Sequence, residues 1–137
     1  QVSVDLLRQV NIRDRAQTVS PVLAGDDILA LRGIGERIHI DDNILEYIVR
    51  IVEATRHDEN IAIGSSMRGA LALTRCARIW AASDGRGYVV PDDVKDLAVA
   101  VLSHRIKLTA EATFAGLTTD ETISRMLETV PVPSLGA

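Results

Sequence analysis

The sequence predicts an all-α fold, a small helical bundle with room for one very short strand pair. Two observations point to this class. Helix-start signals and apolar residues spaced by three and four recur along the chain, whereas strand-like alternation is confined to Ile38–Ile40 and Ile61–Ile63. Hydrophobic residues make up 47% of the 137 positions and aromatics only 3%, so aliphatic side chains must fill the core.

The elements follow in order. A short first helix is expected at about Ser3 to Gln9, with Leu6, Leu7 and Val10 as its apolar side. Residues 11–25 read as a linker punctuated by Pro21 and Gly25. Asp26 and Asp27 open a helix carrying Ile28, Leu29 and Leu31, and Gly33 and Gly35 weaken its end. Asp41 or Asp42 starts the next, which runs to about Arg56. Its face of Ile44, Leu45, Ile48, Val49, Ile51 and Val52 is broad enough for a buried helix.

Ser66 caps a helix reaching about Ser83, with Leu73, Cys76, Ala77 and Trp80 on one face and Cys76 assigned to the core. Asp84-Gly85-Arg86-Gly87 stops it. Pro91-Asp92-Asp93 is a strong helix start, with proline at the first helical position and acids facing the dipole. Val94, Leu97, Ala98, Val101 and Leu102 follow on one side. Residues 107–117 are looser. Thr118 and Glu121 form a capping-box pattern for a last helix with Ile123, Met126 and Leu127, and Val130–Pro133 is an extended tail.

Composition narrows the function. A formal charge of −4, a pI near 5.3 and few aromatics argue against a nucleic-acid binder. That counts against reading helix 66–83 as a DNA-recognition helix. Cys76 is the single cysteine, which fits a reducing, cytoplasmic compartment without a disulfide framework. No run of 18 apolar residues is present, so no membrane insertion is expected. The chain begins with Gln1, which suggests a piece of a longer protein.

Several chemistries lack their residues. The lysines, Lys95 and Lys107, do not follow a glycine, so no phosphate-gripping glycine-rich loop ending in Gly-Lys-Ser/Thr exists here. His39, His57 and His104 are not spaced as zinc ligands, and no metal site is expected. Ser65 and Ser66 have no evident base, and the paired acids at 26–27, 41–42 and 92–93 read as helix-start residues.

The segment Gly64-Ser65-Ser66-Met67-Arg68-Gly69 stands out. It places an arginine in the first turn of a helix, where unpaired N–H groups and the positive dipole end repel a cation. Either Arg68 simply points into solvent, or an anion resolves that conflict, because N–H groups and a guanidinium can hold a phosphate together.

Two longer segments complete the pattern: Ile61 to Leu73 around this turn, and Gly87-Tyr88-Val89-Val90-Pro91-Asp92-Asp93-Val94-Lys95-Asp96-Leu97 followed by Val101-Leu102-Ser103-His104-Arg105. In this order and spacing the chain resembles the C-terminal helical lid of MoxR-type AAA+ ATPases, from about residue 20 to 133. Ile44–Val49, Ala54-Thr55-Arg56 and Glu128–Pro133 fit the same family. The resemblance implies a linker and first short helix at 1–20, after an ATPase core that this chain lacks. The lid bundle would then occupy 21–110, and a C-terminal helix and tail packing on it 111–137.

The resemblance further implies that Arg68 is the sensor 2 arginine, a catalytic residue that reaches the γ-phosphate of ATP. Met67 and Ser66 would be nucleotide-binding neighbours, Met67 against an adenine edge. It implies ATP and Mg²⁺ in the parent protein, with neither bound to this piece alone. As partners it implies the AAA+ core, neighbouring subunits of a ring hexamer and von Willebrand A domain proteins, in a chaperone-like, ATP-driven machine. Met67 stands where the family has proline, Gly69 where it has alanine, and Val90 where it has a threonine cap. Glycine at 69 is expected to loosen the turn. Arg75, seven residues on, either shares the exposed face with Arg68 or is a solvated surface arginine, and Arg78, Arg86 and Arg105 read as solvated. Tyr47 and Trp80 read as core or core-edge residues. The alternative is a stand-alone helical protein-interaction module with no nucleotide role.

Overall fold

A computed structural model describes residues 19–133. The helix expected at 3–9 lies outside the described residues. The element order is α1 (Gly25–Arg37), α2 (Asp42–His57), β1 (Ile61–Ile63), α3 (Met67–Ser83), α4 (Pro91–Leu102), a 3₁₀ turn (Ser103–Arg105), β2 (Lys107–Leu108), α5 (Ala110–Phe114) and α6 (Thr119–Thr129). The fold is all-α with one short antiparallel strand pair, β1 against β2. Contacts divide the chain inside α1 into two units, Gln1–Leu31 and Arg32–Ala137.

In the first unit, Ile28, Leu29 and Leu31 are all exposed, with 49–64% of their surface open. The helix they belong to carries Gly33 and Gly35 in its last turns and ends at Arg37. Asp27 accepts the Ala24 N–H at 2.8 Å, and acids at 26 and 27 face the dipole at the start.

The second unit is built on α2, α3, α4 and α6. Asp41 caps α2 by accepting the Asn43 N–H at 2.8 Å. The helix buries Ile44, Tyr47, Ile48, Ile51, Val52 and Thr55. α3 packs on α4 and on α2, and α6 packs on α4 and α2. Fully buried Ile44, Ile51, Leu73, Val94, Leu102 and Ile123 come from all four helices and form the common core.

α3 buries a narrow stripe of Gly69, Ala70, Leu73, Ala77 and Ala81. Cys76 and Trp80 fall outside it. Cys76 is exposed and Trp80 keeps 44% of its surface open, which corrects the core assignment of the cysteine. Small residues let α3 lie close to its neighbours, so the covered strip is narrower than the apolar arc in the sequence.

Gly85 ends α3 in the left-handed region at φ 73°, with Arg86 N–H to Ala81 C=O at 2.9 Å and Gly85 N–H to Ala82 C=O at 3.0 Å. Thr118 and Glu121 close a reciprocal box at the start of α6. Of the two alternating runs, Ile61–Ile63 forms β1. Ile38–Ile40 makes only a single parallel bridge, His39 with Tyr88. β2 and α5 occupy the region that read as loose.

Candidate functional site

The site is the turn from β1 into α3. Ser66 is the N-cap, and its Oγ accepts the Arg68 N–H at 3.3 Å. Met67 and Arg68 occupy the first turn, and Ser66, Met67 and Arg68 are all exposed. Met67 leaves 52% of its surface open. Among the described residues the Arg68 guanidinium has no ion pair and no hydrogen-bond acceptor.

Its surroundings are unusual in charge. α1, α2, α4 and α6 each carry Asp or Glu in the first turn. α3 carries none there, and presents Arg68 instead. The positive dipole end and the guanidinium therefore add rather than cancel. Chemically this arrangement suits a multiply charged oxyanion, because a guanidinium offers paired donors matched to phosphate oxygens.

The turn itself is held tightly, by residues to which sequence reasoning gave no role. Ser65 is fully buried, and both of its backbone groups are taken by the end of α2. Its N–H donates to Thr55 Oγ1 at 2.9 Å, and its C=O accepts from Arg56 Nε at 2.9 Å. The Thr55 hydroxyl donates in turn to the Val52 C=O at 2.6 Å. Gly64 permits this approach: a Cβ there would stand 2.6 Å from the Thr55 carbonyl oxygen and 2.8 Å from Arg56 Cα. On the other side, a Cβ at Gly69 would run into Ser65 Oγ and come within 3.1 Å of Leu102 Cδ2. Gly69 thus serves close packing of the first turn rather than loosening it. The signal in the sequence was Ala54-Thr55-Arg56, noted as a family trait without a function.

The remaining arginines separate. Arg75 is exposed and lines a cleft of about 110 Å³ with Arg32, Gly35, Glu36, Arg78 and Ile79. Arg105 Nε caps the end of α4 through the Val101 C=O at 2.9 Å. Arg86 is not solvated as expected. Its Nη1 donates to Asp93 Oδ2 at 2.8 Å and Nη2 to Asp93 Oδ1 at 2.6 Å, with Asp84 accepting at 3.0 Å. These hydrogen bonds to Asp93 and Asp84 raise the guanidinium pKa.

Asp93 also accepts the Val90 N–H at 2.8 Å. Valine has no side-chain acceptor, so this is one half of a capping box, and it compensates in part for the missing threonine cap. Tyr47 is fully buried, as a core residue should be, and burial, the largest influence, raises its pKa. Among the described residues no helix is long and apolar enough to cross a membrane, and no cluster of three His, Cys, Asp or Glu could hold a metal.

Comparison with known proteins bears on the fold and the family. A family model described as the AAA lid domain matches residues 53–126, which span the end of α2, the β1–α3 turn, α4 and most of α6. The chain is 38% identical over 117 residues to the uncharacterized protein YeaC of Bacillus subtilis, covering 85% of this chain and 37% of that protein. It is 34% identical over 125 residues to the chaperone MoxR1 of Mycobacterium tuberculosis, covering 85% of this chain and 33% of that protein. The chain therefore spans about a third of the length of these relatives. A crystal structure of a candidate ATPase from Cytophaga hutchinsonii superposes with a TM-score of 0.78 at 28% identity, over 96% of this chain and 43% of that one. In its helical architecture and in its matched residues, this chain belongs to the AAA lid domain family.

Proposed function

We propose that this chain is the nucleotide-sensing lid of an ATP-hydrolysing parent, with Arg68 as its sensor 2 arginine. The observation that carries the reading is the exposed, unpartnered Arg68 guanidinium (among the described residues) on the acid-free first turn of α3. Membership of a lid family supports the reading, since a phosphate is what such a turn suits.

The residues present fit a triphosphate at this turn. Arg68 would donate to its terminal oxygens, the cap at Ser66 would fix the helix start, and Met67 would lie against the base edge. ATP with Mg²⁺ supplies the transferable phosphoryl group and the metal charge when bound. This chain lacks a phosphate-gripping loop, so the rest of the grip belongs to the AAA+ core of the parent. Arg68 then stabilises charge on the phosphate and ties the lid's position to nucleotide state.

In this reading residues 1–20 connect to the core, 21–110 form the lid bundle and 111–137 pack on it. The parent works as a cytoplasmic ring hexamer with chaperone-like remodelling of partner proteins, von Willebrand A domain proteins among them. ATP hydrolysis by the intact parent carrying Arg68→Ala tests the assignment, with a drop of at least about tenfold expected, since such a contact supplies more than about 1.4 kcal/mol.

A second reading, an interaction module without nucleotide, draws on the apolar groove lined by Arg75, Cys76, Ile79, Trp80, Ser83 and Leu97. It requires that Arg68 be dispensable for any activity of the parent.

A further inference from the structure

From the double hold on Ser65 we infer that Thr55 and Arg56 are positioning residues for Arg68, coupling the end of α2 to the sensor turn. The inference rests on the reading of Arg68 as the phosphate contact. Ser65 lies three residues before Arg68 and immediately before the cap. Its N–H and C=O are both taken by consecutive residues of α2, at 2.9 Å each. The Thr55 hydroxyl accepts from Ser65 and donates to the Val52 C=O, so its proton has one place to go and its lone pair faces Ser65. Thr55 and Ser65 are both fully buried, so water cannot replace either group.

Such a clamp allows little independent movement of the turn. Gly64 is pressed on the α2 backbone, and Gly69 on Ser65 and Leu102, so the loop has no slack on either side. Any rotation of the end of α2 is passed to Ser66 and Arg68. A guanidinium that must meet a transferring phosphate in a fixed geometry is sensitive to such a shift, since a displacement of about 1 Å costs up to about 100-fold in rate.

The experiment is steady-state ATP hydrolysis by the intact parent carrying Thr55→Val, Thr55→Ser, Arg68→Ala and the Thr55→Val/Arg68→Ala pair. Thr55→Val keeps the shape and removes the acceptor. It is expected to lower kcat at least about fivefold while KM for ATP changes less than about twofold, and Thr55→Ser is expected to restore the rate. The pair is expected to match Arg68→Ala alone, because a residue acting through Arg68 has nothing left to position. A further loss in the pair equal to that of Thr55→Val in wild type overturns the positioning role and leaves the Arg68 assignment standing. So does an unchanged rate for Thr55→Val beside an impaired Arg68→Ala. An unchanged Arg68→Ala rate overturns the phosphate reading and this inference with it. If Thr55→Val fails to fold, Arg56→Ala removes the other half of the clamp from an exposed side chain and takes its place in the same cycle.

Discussion

Arg86 and Asp93 form a two-armed ion pair across the turn that joins α3 to α4, at 2.8 and 2.6 Å. Asp93 is 3% exposed and simultaneously takes the N–H of Val90, so one carboxylate both caps α4 and fixes the turn. Removing it as Asp93→Ala leaves the Val90 N–H and the inner arm of Arg86 unmatched. The expected loss is about 2 kcal/mol, less than for a fully buried pair because Arg86 keeps Asp84 and solvent. Urea unfolding of the isolated chain measures it, and an unchanged midpoint would mean that water replaces the carboxylate.

The same pair sets an acid dependence. Burial pushes the Asp93 carboxyl up, but the Arg86 hydrogen bonds, the Val90 N–H and the Arg86 charge outweigh it, and the pKa is lowered. A carboxyl depressed on folding contributes stability that is present in full above its unfolded pKa and is lost as pH falls through its folded one. The contribution is thus intact at neutral pH and declines below about pH 4. Thermal melts from pH 7 to pH 2 are expected to show this decline, and Asp93→Asn to flatten it.

Cys76 is exposed on α3 beside Ile79 and Trp80. A thiol reagent is expected to label it completely in the native isolated chain, without denaturant. Protection of this thiol would mean that the groove is covered.

Gly64→Ala sets a methyl group against the Thr55 carbonyl oxygen and Arg56 Cα, both rigid backbone atoms. A loss of about 2 kcal/mol is expected from this overpacking. The Ser65 amide should also lose protection in hydrogen exchange, as the turn backs away from α2. A neutral outcome would show that the turn has slack.

The sequence made local features legible. Asp41, Ser66 and the Thr118–Glu121 box were readable because a cap is written within four residues. The broad face of α2 was readable from its spacing. The width of the buried stripe on α3 was not, because periodicity gives a direction and not an arc; Cys76 and Trp80 were therefore placed too far inside. Arg86 with Asp93, β1 with β2, and Ser65 with Thr55 and Arg56 depend on how a turn closes in space, which no local pattern records. For the β1–α3 turn, the helix start and its misplaced charge were visible in the sequence, but the hold of Thr55 and Arg56 on Ser65 was not.

Contact between Arg68 and ATP phosphate is measured by ATP hydrolysis of the intact parent. Wild type, Arg68→Ala and Arg68→Lys should be compared with folding and assembly verified for each. A loss of at least about tenfold is expected for alanine, and a smaller loss for lysine, which keeps the charge but not the paired donors. An alanine variant that assembles and hydrolyses ATP at the wild-type rate would contradict it.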